Sequence, residues 1–313
     1  SDEGLYIGVF KNGEPNGNGQ LQLKNGLVYS GGFLNGKFHG SGSLELENGK
    51  YNGDFKNGEI TGSGIISWPD GSKYIGEFIN GNKDGSGKYI WEEGRSYTGN
   101  YKDDKKHGKG YEVYPSGSSY DGQYLNGQRH GQGTHISKDK TITIGEFKNN
   151  VFVKGTVTYV SGNKRIGIFK DGHQIGKGEF IWKNGNRYEG DFVKGLRTGK
   201  GEYSTAKYIY NGDFKENKGT GFGKIVFSNG DTYEGDFLND KYHGVGTFTF
   251  GDDGQNYQGE WKNGSKEGMG KITWPSGASS YGPFKNDVRH GTHEYTYEDG
   301  TKKNILFNNG KKV

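Results

Sequence analysis

The stretch Tyr120-Asp-Gly-Gln-Tyr-Leu-Asn-Gly-Gln-Arg-His-Gly-Gln-Gly133 decides how this chain is read. Aromatic residues and glycine alternate from Tyr120 to Tyr124, Asn126-Gly127 follows, and glycines return at alternate positions in Gly131 and Gly133. Period two is the signature of a β-strand, in which alternate side chains share a face. Asn-Gly supplies two residues that tolerate positive φ, as a tight hairpin requires. The segment therefore reads as strand, turn, strand.

Outward from it, the pattern aromatic-x-Gly-x-aromatic runs the length of the chain, with first positions at Tyr6, Tyr29, Tyr51, Tyr74, Tyr97, Tyr120, Thr143, Arg165, Tyr188, Tyr210, Tyr233, Tyr257, Ser280 and Lys303, spaced 22 to 24 residues apart. Counted from each first position, offset +4 is aromatic in every copy and offset +2 is glycine in all but the last, where Ile305 stands. A Gly-x-Gly pair starts at offset +11, as in Gly17/Gly19, Gly40/Gly42 and Gly268/Gly270, and only Lys154/Thr156 breaks both glycines. Offsets +15 and +17 are usually apolar, as in Ile66/Trp68, Tyr89/Trp91 and Phe180/Trp182. Each repeat thus holds two strands. Dipeptides such as Asn12-Gly13 and Asn35-Gly36 form the turn inside a repeat, and Asn25-Gly26 or Asp70-Gly71 the return to the next.

Composition agrees. Glycine makes up 61 of 313 residues, a share well above the roughly 7% of average proteins. The 18 Phe, 22 Tyr and 5 Trp supply half of an apolar class that is only 28% of the chain, too few aliphatics for the core of a layered helix-and-sheet enzyme. Disorder conflicts with so many aromatics and with 41 basic residues against 37 acidic ones, a net charge of +4. Without cysteine there is no disulfide framework, thiolate metal site or cysteine nucleophile. No stretch approaches the roughly 18 apolar residues of a membrane span, and the N-terminus lacks a signal-peptide pattern. A start at Ser1-Asp2-Glu3, without methionine, also suits a fragment or a processed form.

The glycines have a physical task in this reading. If Tyr, Gly and Phe share a face opposite Gly, Gly and two apolar residues, large rings can lie over backbone that carries no Cβ. One ring buries about 150–250 Å², worth roughly 2–3 kcal/mol, whereas ordering one repeat costs about 1.5 kcal/mol per residue. A lone repeat cannot fold, so stability comes from stacked neighbours.

Tyr120-Asp-Gly-Gln-Tyr124, Asn126-Gly127 and His130-Gly-Gln-Gly133 resemble the MORN (membrane occupation and recognition nexus) repeat, and the resemblance extends over about fourteen copies and the whole chain. It implies an all-β fold: an elongated, twisted, single-layer antiparallel β-meander with two strands per repeat and an aromatic groove along one face. Residues 1–313 are expected to be a single continuous array, irregular over about 134–166 and degenerate over a C-terminal cap at about 280–313. In the irregular region Thr143 and Arg165 replace tyrosine, and Val151, Phe152 and Val153 form an aliphatic segment that reads as a mid-array junction or as a partner patch. An open sheet has two edges, and pairing of two copies through a terminal edge strand, as some family members dimerise, is a further expectation.

Chemistry has little to stand on. His39, His107, His130, His243 and His290 share one repeat offset, whereas catalysis needs one site, so these rings are expected to pack over glycine or bond to backbone. His290-Gly-Thr-His293 lacks a third metal ligand, no Walker-type loop follows a glycine pair, and no carboxylate pair stands out. No enzyme, cofactor, metal or nucleic-acid partner is expected. The leading expectation is a scaffold or tether, cytoplasmic and beside the cytoskeleton or a membrane, whose groove binds an extended or helical protein segment through the offset +17 rings Trp68, Trp91, Tyr114, Trp182, Phe227, Phe250, Trp274 and Tyr297. The alternatives are contact with anionic phospholipid through Lys102, Lys105, Lys106 and Lys109, and carbohydrate stacking on the periodic rings.

Overall fold

A computed structural model describes residues 4–313; Ser1-Asp2-Glu3, where the chain begins, lies outside the described residues. Among the described residues there is no helix, and 29 strands form one open antiparallel sheet in meander order, about two to each repeat. The chain divides into two compact units, Ser1–Gly155 and Thr156–Val313. All fourteen turns within repeats, from Asn12-Gly13 to Asn309-Gly310, have positive φ at both central residues, the type I′ geometry that follows the twist of the flanking strands. Asp103-Asp104, Lys194-Gly195 and Glu216-Asn217 adopt it without the Asn-Gly dipeptide.

The register explains the spacing of the glycines. In the second repeat Tyr29 faces Leu44 and Gly31 faces Gly42, and the ladder then slips so that Phe33 meets Phe38. The slip uses the first glycine of the Gly-x-Gly pair, Gly40, at φ 71°, where an L side chain would be strained. The second glycine has a different reason. A Cβ on Gly42 would lie 2.4 Å from the Tyr29 hydroxyl oxygen, because the tyrosine ring rests on the facing glycines. Its hydroxyl donates to the carbonyl of the residue three positions on, and ten tyrosines repeat this bond at 2.9–3.2 Å, from Tyr6 to Tyr257.

These tyrosines are the core. In the first unit Tyr29, Tyr51, Tyr74, Tyr97 and Tyr120 are fully buried, and each meets the offset +4 ring of its own and the following repeat edge to face, as Tyr51 does Phe55 at 5.2 Å and Phe78 at 5.3 Å. The second unit repeats this from Tyr188 with Phe192 and Phe214 to Tyr257 with Trp261 and Phe284. Such pairs add about 0.5–1.5 kcal/mol each beyond their area. Burial raises the hydroxyls, those of Tyr29, Tyr51 and Tyr188 to about 12.

In two of the copies that lack tyrosine, a side chain from the opposite strand fills its place over the glycines. In the copy that begins at Arg165, the buried Gln174 amide donates to the Ile166 carbonyl at 2.8 Å and the Glu179 carbonyl at 3.0 Å, above Gly178. In the copy that begins at Ser280, the second glycine of the pair is replaced by His293, whose ring lies over Gly282. Its Nε2–H donates to the Pro283 carbonyl at 2.8 Å, three positions after Ser280, and its Nδ1 accepts from the Ser280 hydroxyl at 3.1 Å. The imidazole therefore enters from the opposite strand and makes the bond that the tyrosine would have made. His293 is occupied in this way and is not free to pair with His290 as a metal ligand.

This exchange predicts a strongly coupled pair. His293→Gly should cost about 2–4 kcal/mol through the cavity and the orphaned carbonyl, and Ser280→Tyr about 1–3 kcal/mol by overpacking against the imidazole. The double variant restores tyrosine over two glycines and should unfold in urea close to wild type; additive losses would show that the two positions do not share one site.

Candidate functional site

The offset +17 rings are placed by the loops that return the chain to the next repeat. Each stands at the loop entrance, where its backbone N–H donates to a carbonyl four residues on: Trp68 to Ser72, Trp91 to Arg95, Tyr114 to Ser118, Trp182 to Asn186, Phe227 to Asp231, Trp274 to Ala278 and Tyr297 to Thr301. Phe250 spans a longer loop and donates to Gln255. All are half-buried except Tyr297, which is exposed. The half-buried rings Trp68, Trp91, Trp182, Phe227 and Trp274 pack against the buried core of their unit.

Neighbouring rings join into rows. In the first unit Trp68 meets Tyr89 at 5.3 Å and Tyr89 meets Trp91 at 4.4 Å, and the Arg95 guanidinium lies over both Trp91 and Tyr114, at 4.4 and 4.9 Å. In the second unit Phe180, Trp182, Tyr203, Tyr208 and Phe227 follow one another at 4.5–6.0 Å. Phe248 with Phe250, and Trp274 with Tyr295 and Tyr297, form two further groups in that unit.

A second set of residues on this face escapes the consensus. Offset +9 holds Lys83, Lys106 and Arg129 in the first unit and Arg197, Lys266 and Arg289 in the second, and every one lies over at least two rings. A cation over an aromatic face gains about 0.5–2 kcal/mol, more as water is excluded. The turn of the next repeat fixes the backbone of these residues. The carbonyls of Lys83, Arg129, Arg197 and Lys266 accept from Asp104, Asn150, Asn217 and Asp287, whose side chains accept in return from the same residues' N–H groups at 2.8–3.0 Å. The column is inconspicuous in sequence because it also contains Pro15, Phe38, Ile60, Gly219 and Tyr242. Its signal is a recurrent basic residue on a face that is otherwise aromatic.

Lys106 is therefore corrected as a lipid-contact candidate. Lys102, Lys105 and Lys109 are exposed, but Lys106 turns inward, 13% exposed, and forms a close ion pair with Glu112. Glu112 stands at offset +15, where most repeats carry an apolar residue, and is 2% exposed. Its carboxylate also accepts from Arg95 at 2.6 and 2.9 Å, Tyr114 at 2.8 Å and Tyr124 at 3.0 Å. Burial alone would raise the carboxyl, but Lys106, Tyr114 and Arg95 outweigh it and hold it at about 2. The same burial pushes Lys106 below its usual value despite the pairing, so desolvation governs the lysine and the converging donors govern the glutamate.

The remaining sequence-predicted positions separate. Of the mid-array patch, Val151 is exposed and Phe152 and Val153 are half-buried, with Phe152 packed on the core ring Phe147 at 5.4 Å. The Nδ1 atoms of His39, His130, His243 and His290 are buried without a hydrogen-bond partner, so packing, not a bond through that nitrogen, holds these rings. The terminal strands differ. Phe10 is 58% exposed beside the equally open Leu5, Ile7 and Val9, while Ile305 and Phe307 near the C-terminus are buried.

The MORN repeat family model matches thirteen segments, at residues 6–28, 29–50, 51–73, 74–94, 97–119, 120–142, 144–164, 166–187, 188–208, 210–232, 233–255, 257–279 and 282–302. The degenerate copy at Lys303 is not among them. No curated protein matches the chain. Among solved structures, the TCP domain of SAS-4 (dCPAP) of Drosophila melanogaster, in complex with a proline-rich motif of Ana2 (dSTIL), is similar at 14% identity over 56% of this chain and 90% of its own, with a TM-score of 0.33. The TCP10 domain of Danio rerio CPAP, in complex with a STIL peptide, is similar at 10% identity over 97% and 100%, with a TM-score of 0.22. Overlaps this slight have no bearing on function.

Glu112 makes the first unit sensitive to acid. Its folded value of about 2 lies below the ordinary 4.5, so its contribution to stability is complete above the ordinary value and fades as pH falls towards the folded one. Glu112→Gln should cost about 1–3 kcal/mol at neutral pH and much less near pH 3, measured by urea unfolding. Equal losses at both would mean that the carboxylate charge does not matter there.

Proposed function

The chain belongs to the MORN repeat family, and from that premise we propose that it is a non-enzymatic scaffold whose aromatic face binds an extended or helical segment of a protein partner. The observation that carries this reading is the row of partly exposed rings, each held at its loop by a backbone hydrogen bond. Tryptophan, tyrosine and arginine side by side are the residues that dominate protein interfaces: large, stiff and with a polar tip. Cations already seated on the rings hold the apolar surface apart from bulk water while leaving donors for polar groups of the partner. Repeats matched from residue 6 to residue 302 leave the array itself as the functional surface. Such a scaffold would tether assemblies in the cytoplasm, beside the cytoskeleton or beneath a membrane, the setting that the family resemblance suggests.

The test is selection of peptides by the full chain from a random dodecapeptide display library. Trp68→Ala with Trp91→Ala, or Trp182→Ala with Trp274→Ala, should weaken the selected peptides by about 30-fold or more while circular dichroism shows the array still folded at the assay temperature. If no peptide is enriched, while phosphatidylserine vesicles sediment the chain and Lys102→Glu with Lys105→Glu and Lys109→Glu abolishes that sedimentation, the surface is a lipid contact and the protein-binding reading fails.

A further inference from the structure

The first unit contains a worked example of how this face holds an anion. Glu112 is surrounded by a basic offset +9 residue, Lys106, by the offset +17 hydroxyl of Tyr114 and by the offset +4 hydroxyl of Tyr124 from the following repeat, with Arg95 closing the site. The second unit keeps the basic offset +9 residue without the carboxylate, and the positions equivalent to Tyr114, Tyr124 and Arg95 are Thr205, Phe214 and Asn186. Arg197, also at offset +9, lies over Trp182, Tyr188, Tyr203 and Phe214 at 5.2–5.5 Å, and its guanidinium donates to the Asn217 carbonyl. Offset +15 of that repeat is Tyr203, and no described acidic side chain forms an ion pair with Arg197.

Beside this guanidinium is a cavity of about 320 Å³, walled by Tyr203, Tyr208, Tyr210, Phe214 and Phe237. It exists because offset +9 of the next repeat is Gly219. In two other repeats that offset carries Phe38 and Tyr242, each stacked at 3.8 Å on the tyrosine of its own repeat. At Gly219 no side chain stacks on Tyr210, which is buried by the edge-on rings of Phe214 and Phe237. The backbone there does not need glycine: its φ lies outside the left-handed range, and a Cβ would meet the Tyr210 ring at 3.2–3.3 Å and Asp240 at 3.4 Å, a tight but not prohibitive approach.

The one acidic group at the cavity is Asp240. It is exposed, and its carboxylate accepts the Gly219 N–H at 2.7 Å, the stitch that Asp104 and Asp287 make at the equivalent turns. Its charge therefore sits at the rim and is engaged with backbone. The aromatic faces around Arg197 are already taken by a cation, which disfavours a lysine or methylated lysine as occupant. An apolar occupant would desolvate the guanidinium further without compensation. Burial already pulls Arg197 below its ordinary value, and Tyr203 and Asp240 offset this only in part.

We propose that the cavity between Arg197 and Gly219 receives an aspartate or glutamate side chain of the bound protein segment, which pairs in trans with the offset +9 cation as Glu112 pairs in cis with Lys106. This rests on the reading of the aromatic face as a protein-binding surface and adds the chemistry that the segment must carry. Tyr203 and Tyr208 would supply hydroxyl donors beside the guanidinium, and Trp182 and Phe227 would flank the chain on either side.

The test uses peptides selected on the full chain from the dodecapeptide library, followed by fluorescence anisotropy. An acidic residue should be fixed at one position, and its change to the amide should weaken binding by about 10- to 100-fold, the range of a charge-assisted hydrogen bond. Against Arg197→Met that penalty should vanish. Gly219→Phe, which leaves Arg197 in place and fills the cavity as Phe38 and Tyr242 fill theirs, should abolish the acidic preference while raising the melting temperature. Enriched peptides without an acidic position, or an amide penalty unchanged in both variants, would overturn the proposal and leave peptide binding by the face intact. Failure to enrich any peptide would overturn both. Sedimentation with phosphatidylinositol phosphate vesicles that is lost in Arg197→Met, without peptide binding, would assign the cavity to a lipid phosphate instead.

Discussion

A tyrosine ring laid over two facing glycines, with its hydroxyl bonded to the carbonyl beside a slipped ladder, is the contact on which the rest of this sheet depends. In Tyr51 the ring lies over Gly53 and Gly64 and the hydroxyl donates to Asp54. Each part requires the others. Without glycine on both strands the ring cannot approach the backbone, and without the ring a single-layer sheet has nothing to exclude water from that side. The slip opposite the first glycine of each pair turns a carbonyl towards the hydroxyl, which keeps a buried acceptor satisfied. The offset +4 ring then bridges two tyrosines, so each repeat is completed by its neighbour and stability is shared along the array.

The same slip determines where the functional side chains stand. It brings offset +9 onto the tyrosine face, between the core rings and the loop rings, and the next turn clasps its backbone. A lysine or arginine there is not free to swing into solvent. Its stem covers the core ring and its charge is held against the outer row, as Arg197 is between Tyr188 and Tyr203.

The fold was largely legible in the sequence because its rules are local and repeated. Tyr-x-Gly-x-Phe, Asn-Gly and Gly-x-Gly mark the two strands of each repeat and the turn between them, while the slip at the first glycine of each pair shows only in the ladder. What was hidden lies where side chains from different strands exchange roles. Lys106 looked like part of an exposed basic cluster, but the slip turns it inward onto Glu112 while Lys102, Lys105 and Lys109 stay outside. His293, which the sequence leaves without a role, is the counterpart of a missing tyrosine. Neither exchange shows in a pattern read one strand at a time, because each depends on which residue faces which across the ladder.

The offsets divide into those that the contact fixes and those that it leaves open. Zero, +2, +4, +11 and +13 form the ring, its glycine floor and the slip, and in two copies a change there is met by Gln174 or His293. Offsets +9, +15 and +17 line the outer face and vary without such compensation, from Phe38 to Arg197 to Gly219 and from Leu44 to Glu112. In the first unit this freedom places a carboxylate against its cations, and that part of the face is electrostatically closed. In the second it leaves a guanidinium beside an unfilled cavity. A single glycine in a column that elsewhere holds rings and cations is a small change in sequence, and it separates a neutralised surface from one that can still accept a negative charge.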